Sequence, residues 1–471
     1  MQSNQFQRTR VAVAVAGLAL ALGAGQAFGA AFALQEQSVS GLGNAYAGGA
    51  ASAEDASTVW SNPAGMSRFS TAQIVTGLNI ITPSIKFNDN GSSHAAFNQP
   101  LGGTGGNAGN TNYVPNLYVV VPINPQFAFG LGIGAPFGLV TEWDSNWLGR
   151  YQAIKSDVKT LNVNPALSWK IVPNFTVGVG VDYQQIKATF TSAVNYSAAL
   201  AQAAQQAAAG GLIPPATVAP FVAATGGLDS FANINGDDNA WGWNIGAIWD
   251  INPDMRVGAH YRSSLKYTVQ GNASFDNPAL PPLGPLAPVG STLAGLVNAT
   301  ALYNSGVTAD IELPSITNVS FFGHVAPKWD VMADIQFTNW STIQDLTFVR
   351  TTGAVLQSTP EHFKDAWRFS LGTSYYHDNN WKFRAGLAYD ETPVQNDFRT
   401  PRLPDGSRTW LSLGAQYTMD KNLKFDGGFT YIWGGTPTTN QNNGSTTQYG
   451  LIAGEYKPSV TIFGVSATYS F

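Results

Sequence analysis

Several stretches of the chain alternate between apolar residues and polar or small ones. Clear examples lie at residues 175–184, 241–250, 367–375, 423–433 and 463–471. In each of them nearly every second side chain is aromatic or aliphatic, and the residues between are mainly Gly, Ser, Thr, Asn or Asp. A period of two places the two sets on opposite faces of a β-sheet. The pattern therefore predicts strands with one apolar and one polar face.

The connections between these strands alternate in length. Short turns lie at residues 122–125, 172–174, 251–254, 326–328, 378–380 and 418–422. Long loops lie between them, at 88–112, 143–156, 193–232, 273–307, 350–363, 391–408 and 434–457. A soluble sandwich shares the period of two but not this alternation. The pattern predicts an all-β fold, a 14-stranded antiparallel transmembrane β-barrel with short periplasmic turns and long outer loops.

Composition narrows the class of protein further. The 471 residues include 11% charged and 12% aromatic residues, and the mean hydropathy is −0.05. Charge is far below the usual roughly 25% of a globular chain, and the hydropathy is too low for a helical membrane protein. The absence of cysteine excludes disulfides and thiolate sites. A net charge of −5 argues against a nucleic-acid partner.

The first residues predict export from the cytoplasm. Arg8 and Arg10 precede an uncharged apolar run at 11–22, and small residues flank Phe28 at 27 and 29. This arrangement predicts a signal peptide at residues 1–29. A membrane anchor helix is the alternative, but the run is shorter than the roughly 20 residues that span a bilayer. A secretion signal before a barrel predicts the outer membrane of a Gram-negative cell, with contacts to membrane lipid and lipopolysaccharide.

Ordered stretches along the whole chain carry a family resemblance. They are residues 40–48 (SGLGNAYAG), 55–64 (DASTVWSNPA), 138–142 (GLVTE), 241–244 (WGWN), 363–368 (FKDAWR) and 410–412 (WLS). Together they resemble the FadL family of outer-membrane transporters for long-chain fatty acids and other hydrophobic compounds. The resemblance implies an N-terminal hatch at residues 30–68 inside a barrel formed by residues 69–471. It also implies passive, diffusion-driven uptake of hydrophobic small molecules, such as fatty acids, aromatic hydrocarbons or alkanes.

The residues of the predicted hatch agree with a plug. Residues 30–67 are rich in small side chains and lack alternation, and a barrel of this width leaks unless it is filled. A disordered tail is the alternative, although Tyr46 and Trp60 are unusually apolar for one. Asn62, Pro63 and Ala64 resemble the hatch motif of the family. Asn bonds backbone groups locally and Pro restricts φ, so we expect a compact turn rather than an ordinary surface turn.

The third predicted strand, residues 127–143, is interrupted. Gly134, Ala135, Pro136, Phe137 and Gly138 stand in its middle, where Pro cannot donate to the ladder and Gly weakens the strand. The resemblance implies that this kink opens a lateral gap in the barrel wall. A hydrophobic ligand gains more by leaving sideways into lipid than by entering water. An ordinary bulge is the alternative.

Two long loops carry more apolar residues than exposed loops usually do. Leu212, Ile213 and Phe221 lie in the loop at 193–232, and Leu283, Leu286 and Leu296 lie in the loop at 273–307. Exposed apolar patches indicate binding. The resemblance implies an outer groove that first captures the ligand. Packing of the two loops on each other is the alternative, and both can hold.

The resemblance also implies an inner pocket beside the hatch. Phe32 matches a residue that lines this pocket. Fatty-acid transporters of the family place cations near the ligand head group, and the matching positions here are Thr189 and Thr359, with Lys187 nearby. Because neither threonine is cationic, a neutral ligand becomes an alternative to a fatty acid.

Other functions find little support. The five histidines show no metal-binding spacing, and the chain contains no Gly-x-Ser-x-Gly motif, so we expect no metal, no cofactor and no enzyme. A porin for polar solutes is the first alternative, and an outer-membrane lipase is a weaker one. The chain ends on Phe471, a terminal aromatic typical of outer-membrane barrels, which predicts recognition by the barrel-assembly machinery. We expect a monomer.

Overall fold

The computed structural model describes residues 30–471, so the predicted signal peptide at 1–29 lies outside the described residues. The strands are β1 (Gln73–Asp89), β2 (Asn112–Pro122), β3 (Phe127–Gly134), β4 (Gly138–Glu142), β5 (Lys155–Val172), β6 (Phe175–Asn195), β7 (Asp229–Asp250), β8 (Met255–Arg262), β9 (Leu265–Asp276), β10 (Ser305–Leu313), β11 (Ile316–Ala326), β12 (Trp329–Thr338), β13 (Asp345–Arg350), β14 (Val355–Pro360), β15 (Ala366–Tyr376), β16 (Trp381–Asp390), β17 (Arg408–Thr418), β18 (Leu423–Trp433), β19 (Thr438–Gln441) and β20 (Ile452–Ser470).

These segments form one closed antiparallel barrel that the chain crosses fourteen times. Six crossings are built from two consecutive segments each, namely β3–β4, β8–β9, β10–β11, β12–β13, β14–β15 and β18–β19. Closure comes from β1 and β20, which pair without a break from Gln73↔Ser470 to Asp89↔Gly454. A closed sheet has no free edge, as a strand structure in lipid requires. The predicted fold class and strand count are confirmed.

Alternation along the strands separates the outer and inner faces. Trp241, Trp367 and Phe463 are exposed on the outside, whereas Asn244 and Asp426 are buried inside. The outer face can therefore meet lipid, and the inner polar groups find partners in the lumen.

Residues 30–68 lie inside the barrel and contain three short helices and a 3₁₀ turn. The elements are α1 (Val39–Leu42), α2 (Gly49–Ser52), α3 (Thr58–Ser61) and the turn Pro63–Arg68. The hatch backbone touches the wall closely, because a Cβ built on Gly386 would stand 2.2 Å from the backbone of Asn44. A strand residue with a side chain would displace the hatch there.

The outer loops carry the remaining helices, α4 (Tyr196–Ala209), α5 (Val218–Ala224), α6 (Ala287–Thr300) and α7 (Thr446–Tyr449). Within residues 30–471, every helix is too short or too polar to cross a bilayer. Asn195 caps α4, since its side chain accepts a hydrogen bond from the backbone N–H of Ala198 at 2.9 Å. Because α4 begins directly after the end of β6, this loop helix lies at the outer end of the barrel.

Candidate functional site

An apolar cavity lies inside the barrel, between the hatch and the loop at residues 391–407. Its walls are the inward faces of β4, β5, β6, β9, β10 and β13. It is lined by Phe32, Leu139, Val158, Ile186, Ala188, Phe190, Val269, Ala309, Ile311, Ile343, Leu346, Phe348, Glu361, Phe363, Arg402 and Leu403. Fourteen of these sixteen side chains are apolar. We call this space the inner cavity.

Phe32 closes the hatch end of the inner cavity, within a cluster of aromatic rings. Its ring centroid lies 4.9 Å from that of Trp340 in an edge-to-face arrangement. Phe137 and Phe363 pack on the same Trp340 ring, with centroids at 6.2 and 6.1 Å. Such contacts stabilise beyond the area that they bury. The hatch, the interrupted strand and the cavity wall therefore share one apolar contact.

The two polar residues of the inner cavity were not predicted from the sequence. Arg402 is only 5% exposed, and its guanidinium lies 3.4 Å from Ser156 Oγ and 5.3 Å from the centre of the Phe190 ring. Its loop is anchored by Thr141, whose hydroxyl donates to Arg402 O at 3.0 Å. No carboxylate of residues 30–471 forms a salt bridge with this guanidinium. A buried guanidinium with one long hydrogen bond retains donors that can bind an anion.

Glu361 faces the same space from the segment between β14 and β15. Burial raises the pKa of the Glu361 carboxyl to about 8, although the guanidinium of Arg402 acts to lower it. Burial lowers the pKa of Arg402 to about 10, with Glu361 acting in the opposite direction. Both residues lie outside the strands that cross the membrane. At neutral pH the cavity therefore holds a positive charge beside a mostly protonated acid.

The predicted pocket residues other than Phe32 require a correction. Ile186, Ala188 and Phe190 point inward from β6, so Lys187 and Thr189 point outward and do not line the inner cavity. A displacement of one residue moves a side chain to the other face of a strand. Thr359 is buried on β14 opposite Leu346 but is not among the residues that line the inner cavity.

The third crossing is interrupted at the predicted place. β3 ends at Gly134 and β4 begins at Gly138. β2 pairs with β3 as far as Leu117↔Ile133, and the described pairings contain none between β2 and β4. The hatch takes up part of the lost bonding. Leu34 N donates to Pro136 O at 2.8 Å, and Gly138 N donates to Phe32 O at 2.7 Å. The interrupted strand is therefore hydrogen-bonded to the hatch.

Asn62 joins the hatch to the barrel wall. Its amide nitrogen donates to the carbonyl oxygens of Ala50, Ala247 and Ala259 at 2.7, 3.0 and 3.2 Å. Its side-chain oxygen accepts from Ala64 N at 3.0 Å, and Pro63 occupies the first position of the 3₁₀ turn. All three residues of the motif are buried. The motif is thus an internal cross-link rather than a surface turn.

The apolar residues of the two long loops pack largely on each other. Ile213 and Phe221 are buried between α4, α5 and α6, and Leu283, Leu286 and Leu296 are partly buried against this cluster. Leu212 is 61% exposed. The alternative expectation of mutual packing therefore describes these residues, and their role in an outer groove stays a prediction.

A further cavity lies beneath the loop helices, on the outer side of the inner cavity. It is lined by residues of β6, α4, β7 and the outer loops, among them Asn195, Ile234, Leu302 and Tyr449. Ile234 is the β7 partner of Phe190, which lines the inner cavity. We call this space the outer cavity. The two cavities are therefore neighbours along the barrel axis.

A closed β-barrel with an internal plug and an apolar cavity defines the class of outer-membrane transport proteins. A profile described as outer membrane protein transport protein (OMPP1/FadL/TodX) matches residues 20–471. The chain belongs to this family and is an outer-membrane protein. The family is one of transporters rather than enzymes.

Individual relatives agree along almost the full length. The chain is 33% identical over 456 residues to the long-chain fatty acid transport protein of Escherichia coli O6:H1, covering 95% of each chain. It is 30% identical to the 47 kDa outer membrane protein of Pasteurella multocida, covering 95% of this chain and 96% of that protein. A solved Pseudomonas aeruginosa FadL homologue superposes with a TM-score of 0.81 at 25% identity, covering 94% of this chain and 100% of that one. The Pseudomonas putida toluene transporter TodX shares the fold, with a TM-score of 0.63 at 20% identity, covering 88% and 94%.

Proposed function

We propose that this protein takes up hydrophobic small molecules by passive diffusion, and that its preferred ligand is a long-chain fatty acid. The observation that carries the proposal is the buried Arg402 in an otherwise apolar cavity. An aliphatic tail is stabilised by about 0.8 kcal/mol for each CH₂ group that leaves water. A carboxylate can bind the guanidinium through charge-assisted hydrogen bonds. A fatty acid carries both groups, and the E. coli relative bears the name of such a transporter.

Ligand would enter through the outer cavity and pass to the inner one. The Phe190 and Phe348 rings, 5.7 Å apart, line the inner cavity next to the outer one, so small side-chain rotations would connect the two. The head group then remains beside Arg402, near Phe190, while the tail extends toward Phe32 and the hatch. No energy source is needed, because the apolar surface leaves water at each step.

Exit would occur sideways at the interruption of the third crossing. The wall lacks ladder bonds between β2 and β4, and the hatch residues Phe32 and Leu34 bond the chain at that point. Movement of these hatch residues would uncover the gap from inside. A tail at Phe32 is in direct contact with the segment that must move.

A variant of the third crossing tests lateral exit. Replacing Pro136 and Gly138 with valine supplies a backbone donor and β-forming side chains, so the strand should pair further and the gap should narrow. We expect oleate uptake by cells to fall at least about tenfold, while oleate binding by purified protein changes less than about threefold. A Val replacement at Gly427, which is exposed on β18 and where an added Cβ would meet no atom within 4 Å, is the control. Unchanged uptake by the double variant would refute lateral exit.

The charge state of Glu361 predicts a pH dependence of fatty-acid binding. Below its pKa of about 8 the acid is protonated, and Arg402 can bind a carboxylate; above it, the ionised Glu361 competes for the guanidinium. The other charged group acting on Glu361 is Asp345. We expect the affinity for oleate to fall by about tenfold between pH 7 and pH 9, as proton linkage requires. Titration calorimetry of Glu361→Gln should give a flat profile, and a tenfold fall in that variant would contradict the assignment.

A further inference from the structure

Two other cavities lie between the hatch and the short-turn end of the barrel. The first, which we call the chamber, has a volume of about 100 Å³ and lies between the hatch and the inward faces of β8, β11, β12 and β15. The second, the vestibule, has a volume of about 340 Å³ and opens among the turn residues 378–381. Ser52 and Glu54 line both cavities. These two residues therefore form the neck between the chamber and the vestibule.

The chamber has a mixed lining that includes unpaired polar groups. Four of its buried side-chain atoms have no hydrogen-bond partner among residues 30–471, namely His260 Nε2, Gln37 Oε1, Asn44 Oδ1 and Arg368 Nε. Each of these residues is more than nine-tenths buried. Buried polar atoms of this kind are normally satisfied by water, and a cavity of this volume holds several molecules. The chamber can therefore hold water beside its unpaired polar groups.

Salt bridges join the hatch to the barrel wall at the neck. The Glu54 carboxylate of the hatch accepts hydrogen bonds from Lys382 and Arg384 of β16, and Arg384 also binds Asp426 Oδ1 at 2.8 Å. On the other side of the neck, Arg256 donates to Ser52 O at 2.6 Å. The hatch is therefore clamped to the wall on both sides of Ala53.

Ala53 itself is strained. It adopts φ 46° and ψ 53°, a left-handed conformation that residues with a side chain rarely occupy. Such a conformation persists only where the surroundings enforce it, and here the two clamps supply that constraint. Release of Glu54 removes one clamp and lets the segment relax away from the neck.

We propose that Ser52–Glu54 is the gate of a hydrated passage through the hatch, and that the open gate conducts small inorganic anions. Anions are expected because Lys382 and Arg384 stay at the neck when Glu54 leaves, and within residues 30–471 their remaining salt bridge is that between Arg384 and Asp426. The two cavities are also lined by four cations, Arg256, Arg262, Arg368 and Lys424, and by three carboxylates, Asp330, Asp334 and Asp378. A passage lined by charges focuses the ion of opposite sign. This activity goes beyond hydrophobic uptake, since an apolar ligand gains nothing from a hydrated path.

Single-channel recording in planar bilayers tests the gate with the full chain. In potassium chloride we expect rare openings of the parent protein and at least a tenfold higher open probability for Glu54→Gln. In a salt gradient, the reversal potential should lie closer to the equilibrium potential of chloride than to that of potassium. Glu455→Gln is the matched control, because Glu455 pairs with Lys457 in a more exposed salt bridge at 3.4 Å. Parent-like closure of Glu54→Gln, or preference for potassium, would overturn the proposal.

A second variant and a second readout guard against misfolding. Lys382→Met breaks the same clamp from the barrel side and should also open the passage. Because the chain has no cysteine, a Ser57→Cys replacement places a single thiol in the chamber. We expect an anionic methanethiosulfonate reagent to label it at least tenfold faster when Glu54→Gln is present. Equal labelling rates would contradict the gate, and oleate uptake, measured separately, would report on the proposed transport function.

Discussion

Replacement of Arg402 with methionine is expected to weaken oleate binding by about 10- to 100-fold. The guanidinium is the one cation that lines the inner cavity among the described residues, and hydrogen bonds to a charged group contribute about 1.5–3 kcal/mol. Methionine keeps much of the length and the apolar stem of the side chain. The loss of oleate affinity therefore reports the contribution of the charge. Fluorescence competition or calorimetry on purified protein measures the affinity.

A neutral ligand provides the discriminating comparison. We expect toluene or an alkane to bind Arg402→Met as well as the parent, because these compounds offer nothing to the guanidinium. Arg402→Lys should retain part of the oleate affinity, and Lys266→Met, at an exposed lysine on the outer face, should change nothing. Equal loss for oleate and for a neutral hydrocarbon would show that Arg402 shapes the cavity instead of binding a carboxylate. The same comparison decides between fatty acids and hydrocarbons as ligands.

Replacement of Asn62 with alanine is expected to loosen the hatch by about 2–5 kcal/mol. The change removes one buried and two partly buried hydrogen bonds to carbonyl oxygens, and also the acceptor for Ala64 N. Each unsatisfied buried group costs about 1–3 kcal/mol, part of which water recovers. Amide hydrogen exchange in the hatch should therefore accelerate by about 30-fold or more, while the strands stay protected. Mass spectrometry of deuterated peptides resolves the two regions.

Two further variants separate the roles of the Asn62 side chain. Asn62→Asp keeps the acceptor for Ala64 N but removes the amide donors to the wall, so it should loosen the hatch almost as much. Asn88→Ala removes a hydrogen bond of 3.1 Å between exposed side chains and should leave exchange unchanged. Hatch protection equal to the parent in Asn62→Ala would mean that the cross-link does not hold the plug.

Much of the fold follows from local patterns in the sequence. Alternation at residues such as Trp241 and Phe463 reports which side chains meet lipid, because a strand has only two faces. Alternating turn and loop lengths report the crossings, because neighbouring antiparallel strands must be joined at alternate ends. The interruption at Pro136 is predictable because Pro cannot donate a hydrogen bond to the ladder. The turn at Asn62 is predictable because Asn bonds nearby backbone groups and Pro restricts φ.

The lining of the cavities did not follow from such patterns. Thr189 was predicted to line the pocket from a matching position and Lys187 from its nearness to that position, but both lie on the outward face of β6. Arg402 and Glu361 were missed because each lies in an irregular segment without periodicity. The loop residues Ile213 and Phe221 were recognised as unusually apolar, but their sequence positions do not say whether they face water or one another.

By itself, then, the sequence determined the strands, their faces, the turn in the hatch and the break in the third crossing. These features depend on interactions between residues close along the chain. Only the tertiary structure decided that Arg402 and Glu361 face one apolar cavity and that Glu54 meets Lys382 and Arg384, more than 320 residues away. Closure of the barrel around the hatch brings these groups together, and contacts between residues so far apart along the chain leave no local pattern in the sequence.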